Sequence, residues 1–154
     1  MDVSLDQIQQ AEQRIRNFIY FSPCQQSAAL SEVTGQQVFL KLDNLQRTGA
    51  FKERGALNRI LLLSEEEKRR GVIAASAGNH AQAVAYHATQ RGVLARIVMP
   101  LMTPLVKTSA TRGFGADVIL HGANYDEACH EALRICDLEG REGSADQDAT
   151  GFQC

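Results

Sequence analysis

Val72-Ile73-Ala74-Ala75-Ser76-Ala77-Gly78-Asn79-His80-Ala81-Gln82 runs from four apolar residues, through a small-residue turn, into a helical segment. A short apolar run bounded by turn residues reads as a buried strand. The helix after it is expected from Asn79 to about Arg91, with Gly92 at its end. The same unit then repeats. Leu94 to Met99 reads as a strand closed by Pro100, and Thr103-Pro104 supplies an N-cap with proline at the first helical position. That helix is expected to stop at Gly113-Phe114-Gly115. Asp117 to Leu120 follows as a strand, and Asn124 with Glu127 caps a helix to about Leu138. Strands alternating with helices predict an α/β fold: a parallel sheet with flanking helices and right-handed crossovers.

Upstream, Ser4 and Gln7 form a capping box, and Leu5, Ile8, Ile15, Phe18 and Ile19 predict a helix near 5–19. Gln37 to Leu42 reads as a strand with Val38, Leu40 and Leu42 on one side. A helix is expected from Lys52 to Leu63, then a short one capped by Ser64 and Glu67 and stopped by Gly71. Downstream of Leu138 the pattern fails. A further strand is due near position 141, yet Phe152 is the only large apolar residue after Glu139. Polar, glycine-containing sequence cannot offset its ordering entropy by burial, so 140–154 is expected to be a disordered tail on an unfinished sheet.

At 154 residues the chain has room for one ordinary domain, and 44% hydrophobic residues suffice for a core. A formal net charge of -2, with lysine and arginine dispersed, gives no footprint for nucleic acid or a membrane surface. No apolar run approaches the roughly 18–20 residues of a membrane span. The start Met1-Asp2-Val3-Ser4-Leu5-Asp6 lacks the features of a secretory signal. A cytoplasmic protein is expected. Among the four cysteines no pair has zinc-ligand spacing, so no metal is expected. Cys129 and Cys136 are read as buried, inert thiols.

Two segments carry candidate chemistry. Lys52 follows the turn Arg47-Thr48-Gly49-Ala50-Phe51 and opens a helix. A lysine there is commonly a solvated surface charge. Against that, the helix dipole disfavours a cation at this end, and Phe51 and Ala50 supply an apolar setting. Both effects favour the neutral amine that Schiff-base formation needs. The second segment, Ser76-Ala77-Gly78-Asn79-His80, offers free backbone N–H groups at a helix start, suited to a carboxylate or phosphate. The plainer alternative is a strand-to-helix turn with Ser76 or Asn79 as an ordinary N-cap. His80 reads as a hydrogen-bonding residue, while His87 and His121 have no partner in the sequence and read as structural.

The stretch Lys41-Leu42-Asp43-Asn44-Leu45-Gln46-Arg47-Thr48-Gly49-Ala50-Phe51-Lys52-Glu53-Arg54-Gly55-Ala56 resembles the lysine segment of the threonine dehydratase family. Those enzymes belong to the tryptophan-synthase-β-like (fold type II) pyridoxal-phosphate architecture. Ser76-Ala77-Gly78-Asn79-His80-Ala81-Gln82 is similar to that family's substrate-carboxylate loop. Met99-Pro100, Thr103-Pro104, Lys107 and the stretches Gly115 to Val118 and His121 to Ala128 continue the likeness, in order, to about 138.

The resemblance implies that Lys52 holds pyridoxal phosphate as a Schiff base, with Phe51 beside the ring and Asn79 bonded to its phenolic oxygen. It implies that Ser76, Ala77, Gly78, Asn79 and His80 bind the substrate carboxylate. The activity implied is dehydration and deamination of L-threonine or L-serine to a 2-oxo acid and ammonia. Serine racemases share the architecture but carry a second serine, a proton-exchanging base, where Ala77 stands, so the racemase alternative is disfavoured. In the same terms 1–52 belongs to the larger cofactor domain, 53–139 forms the smaller α/β domain, and 140–154 diverges. The family's glycine-rich phosphate loop lies beyond the matched region. The architecture is therefore expected to be incomplete at the C-terminus and the short chain alone inactive. Its expected partners are an amino-acid substrate and either further copies of itself or a full-length homologue.

Overall fold

The computed structural model describes residues 3–139 and 142–145. The chain divides into two compact units, Met1–Phe51 and Lys52–Cys154, one residue before the boundary expected from the sequence.

In the first unit, Ser4 caps α1 (Leu5–Ile15) by the reciprocal bonds with Gln7 read from the sequence. The helix stops short of the expected 19, because the chain turns at 16–18 with the Phe18 N–H donating to Ile15 O. Two elements appear that the sequence reading missed. Strand β1 (Cys24–Gln26) pairs antiparallel with β2 (Phe39–Lys41), and α2 (Ala28–Thr34) lies between them in sequence. Ser27 caps α2, and Gly35 ends it at φ 67, a left-handed conformation that glycine adopts without steric cost. The expected strand at 37–42 shrinks to the three residues of β2, all exposed. A single 3-10 turn, Asp43–Leu45, leads toward the lysine segment.

The second unit follows the expected alternation closely. Helix α3 (Lys52–Leu61) leads to α4 (Glu65–Arg70), where Ser64 and Glu67 form the expected capping box and Gly71 ends the helix at φ 85. Then come β3 (Val72–Ala75), α5 (Asn79–Thr89), β4 (Ala95–Met99), α6 (Leu105–Gly113), β5 (Asp117–Leu120) and α7 (Tyr125–Glu139). At α6, Pro104 is itself the cap residue rather than the first helical one. Asn124 caps α7 as read, its Oδ1 accepting from the Glu127 N–H at 3.0 Å.

The sheet is parallel, in the order β5-β4-β3 followed by a fourth strand, β6 (Glu142–Ala145). This corrects the expected tail: 142–145 pair with Val72–Ala75, while 140, 141 and 146–154 lie outside the described residues. The physical reason is that a sheet edge recruits a strand through backbone groups. Apolar side chains, whose lack suggested disorder, are not needed for that pairing. Ending the chain at Glu139 would leave β3 bonded on one side only. At about 1 kcal/mol per lost hydrogen bond, amide exchange at Ile73 and Ala75, which alternate with the amides that donate to β4, is expected to accelerate by roughly tenfold or more. Unchanged exchange would remove β6 from the account.

Alternating residues of the central strands feed two cores, as the pleat requires. Val72, Ala74, Ile97 and Met99 pack with Ala56 and Ile60 of α3 and with Ala81, Val84 and Ala88 of α5. Ile73, Ala75 and Val98 pack on the opposite face with Ala128, Ala132 and Ile135 of α7. Cys136 is buried in this second core, and Cys129 is free and half-buried. Helices α3 and α5 therefore share one sheet face, and these are the two helices that begin with the candidate segments.

Candidate active site

The turn before Lys52 forms as its sequence suggests. The Gly49 N–H donates to Gln46 O at 2.9 Å, and Gly49 sits at φ 73, where other residues are strained. Gln46 is buried, its Nε2 donating to Tyr20 O and Asp43 Oδ1. Phe51 is 61% exposed. Lys52 is the first residue of α3 and is half-buried.

The second segment resolves the choice left open by sequence. Neither Ser76 nor Asn79 is the N-cap of α5; that position belongs to Gly78, with no side-chain cap. Ser76 is buried, its N–H donating to Val98 O at 3.1 Å, and its Oγ accepts from the Gly78 N–H at 3.3 Å. The first turn of α5 thus carries N–H groups that no capping side chain satisfies, together with the positive end of the helix dipole. Gly78 has φ -125 and ψ -151, an extended conformation open to any residue. A Cβ built there would meet nothing within 4 Å. Neither backbone strain nor packing requires this glycine; the open space beside it is where a carboxylate can reach the backbone. Ala77 and His80 are half-buried and Asn79 is exposed.

The direct link between the lysine helix and the loop helix was not foreseen. Glu53, adjacent to Lys52, and His87, in the last turn of α5, are both buried with side chains 2% exposed, and Nε2 lies 3.3 Å from Oε2. The contact lies off the hydrogen-bond direction, so it is an electrostatic pairing. Arg91 Nη1 donates to His87 O at 3.1 Å and lies 3.5 Å from His87 Nδ1. Burial pushes the Arg91 guanidinium below its usual range. His87 lies eight residues beyond Asn79 on α5, about 12 Å along the axis. Two helical turns of α5 therefore separate this link from the segment Ser76–His80.

The donor set fits the reactive end of the expected cofactor. A primary amine opens one helix, and an uncapped helix start with an exposed amide side chain, Asn79, opens its neighbour on the same sheet face. Among the described residues no helix is long and apolar enough to cross a membrane.

Known proteins resemble this chain in sequence and in fold. The profile of the family described as pyridoxal-phosphate dependent enzyme matches residues 15–143. The L-threonine ammonia-lyase of Thermotoga maritima is 51% identical over 138 residues, which are 90% of this chain and 34% of that protein. The structure of the processed form of threonine deaminase isoform 2 from Solanum lycopersicum superposes with a TM-score of 0.81 at 37% identity, covering 93% of this chain and 41% of that one. Maize serine racemase superposes with a TM-score of 0.86 at 32% identity, covering 93% and 44%. The chain thus spans between a third and a half of the length of these relatives.

Proposed function

The chain belongs to the pyridoxal-phosphate-dependent enzyme family, and on that premise we propose that it supplies the lysine and carboxylate-binding part of an ammonia-lyase acting on L-threonine or L-serine. The observation that carries the reading is the pairing of Lys52 at the start of α3 with the uncapped start of α5, on two helices packed against one sheet face. When bound, pyridoxal phosphate supplies the electron sink for the α-carbon of an amino acid.

The residues of this chain supply the rest. Lys52 would hold the cofactor through its amine, and that same amine would serve as the base for the α-proton. The Ser76 hydroxyl and the N–H groups of residues 76–80 fix the substrate carboxylate, and so orient the α-C–H bond toward that amine. Asn79 and Phe51 would hold the cofactor ring, the one through its amide and the other through its aromatic face. Net, water is eliminated across Cα–Cβ and one water is taken back in hydrolysing the released imine, giving 2-oxobutanoate or pyruvate and ammonia. Ala77 has no proton to exchange on the opposite face, which favours elimination over racemisation even though a serine racemase is among the structural relatives.

No glycine cluster comparable to the family's phosphate loop occurs in this sequence. Turnover is therefore expected only when the remaining segment of the longer relatives is present, in the same chain or in an associated homologue. A cytoplasmic setting suits amino-acid chemistry of this kind. The test is direct: add pyridoxal phosphate to the purified chain, reduce with borohydride, and map the modified peptide. A visible absorbance band lost on reduction, with the label on Lys52, is the expected result. No band at saturating cofactor would sink the reading.

A further inference from the structure

We propose that Glu53 and His87 form a buried clamp that positions Lys52 for carbonyl chemistry. The inference rests on the reading of Lys52 given above and deepens it.

Burying a carboxylate against an imidazole is costly, and a well-packed apolar pair would serve stability as well or better. The pair therefore calls for a role beyond holding helices together. Direct catalysis is excluded by access: with side chains 2% exposed, neither group can touch a substrate. What the pair does have is location. Glu53 is bonded in sequence to Lys52 and occupies the first turn of α3, the part of a helix most prone to fray. His87 sits on α5, whose other end is the carboxylate loop.

The orientation of the imidazole is itself fixed. The guanidinium of Arg91 can only donate, so His87 Nδ1 faces it as the acceptor, while Nε2 lies 3.3 Å from Glu53 Oε2 without a hydrogen bond between them. The Tyr86 ring stands edge-on to the imidazole, with centroids 4.9 Å apart, and Phe114 stands edge-on to Tyr86 at 5.6 Å. Arg91, His87 and Glu53 thus form a row from the end of α5 to the backbone that carries the lysine. With the ring anchored by Arg91, its close contact with the Glu53 carboxylate sets where the start of α3 sits. A purely hydrophobic contact, with no charged partner to hold, would let that turn rotate or fray.

The experiment compares Lys52 labelling by pyridoxal phosphate, trapped with borohydride and quantified by peptide mapping against Lys41, Lys68 and Lys107. It is run on the wild-type chain, on Glu53→Gln, on His87→Gln, and on the swapped pair Glu53→His with His87→Glu. Helix content and thermal midpoint are recorded for each, and labelling is read well below the midpoint. Wild type should label Lys52 in preference to the other lysines. Each single variant should lose that preference by about ten- to a hundredfold, the effect of a displacement near 1 Å, with helix content unchanged. The swapped pair should recover most of it. If the singles lower only the thermal midpoint and keep the preference, the pair is structural and the clamp is overturned. If the singles lose preference and the swap recovers none, the paired arrangement is not what positions Lys52, and the proposal fails. Failure of wild type to label Lys52 preferentially would instead overturn the functional reading, so the two failures are distinct.

Discussion

Lys52→Ala is expected to abolish borohydride-trapped pyridoxal phosphate on the α3 peptide while leaving the fold intact. Alanine is the best helix former, so the first turn of α3 gains propensity rather than losing it. Lys52 is only half-buried, so truncating it leaves no closed cavity. What disappears is the one amine placed at that helix start. The other lysines are poor substitutes: Lys41 donates to Ser22 O over the Phe21 ring, and Lys68 is paired with Glu65 at 2.7 Å. In a protein containing the full length of its relatives, the roles proposed for Lys52 mean that the same substitution takes away both the cofactor anchor and the base. Turnover of threonine or serine should fall by about 10²–10⁴-fold from the lost proton transfer alone. A small exogenous amine should restore part of it. Equal label stoichiometry in the variant, or unchanged turnover, would refute the role given to Lys52.

Much of the second unit was legible because its signals are local. Ser64-Glu67 and Asn124-Glu127 announce helix starts by side chains three residues apart, and both sets of bonds form. The four residues of β3 are all buried, so an unbroken apolar run encodes them. The elements that escaped lack this information. In α2, Leu30 and Val33 are both exposed, so no apolar stripe marks the helix, and only Ser27 and Gly35 mark its ends. Strand β1 is Cys24-Gln25-Gln26, all exposed, and is defined by its partner strand rather than by its own side chains. Strand β6, at the edge of the parallel sheet, is likewise set by its pairing with β3.

The site divides along the same line. Lys52 and Ser76–His80 could be read as motifs because each is contiguous. That Gly78 rather than Ser76 caps α5 is a matter of dihedral angles that the letters do not carry. The pairing of Glu53 with His87 is further out of reach. The two are thirty-four positions apart, and nothing in a helical repeat marks a charged residue as buried. A signal was nonetheless present. Ala56 and Ile60 lie three and seven residues after Glu53, which puts the glutamate on the apolar face of α3, where charge is rare.

Ile97→Ala should cost the second unit more stability than removal of any surface ion pair, because the sheet's core faces, not its charges, hold α3 and α5 in place. Ile97 is completely buried in β4, between β3 and β5, and packs in the cluster that carries both helices. Deleting its outer carbons forfeits transfer free energy and leaves a cavity that neighbouring strands cannot close, about 2–5 kcal/mol. Against a typical total of about 5–15 kcal/mol this is a large fraction. With a urea dependence of about 1–3 kcal/mol per molar, the denaturation midpoint should drop by roughly 1–2 M. The neighbouring residue supplies the control. Arg96 pairs with Asp117 at 3.1 Å, but the aspartate side chain is 66% exposed, so the pair is screened and Arg96→Ala should cost about 0–1 kcal/mol. Below its midpoint, the Ile97 variant should still label Lys52, since the amine and the Glu53–His87 link are unchanged. Equal midpoint shifts for Ile97→Ala and Arg96→Ala would mean that charge pairing, not core packing, sets the position of the two helices.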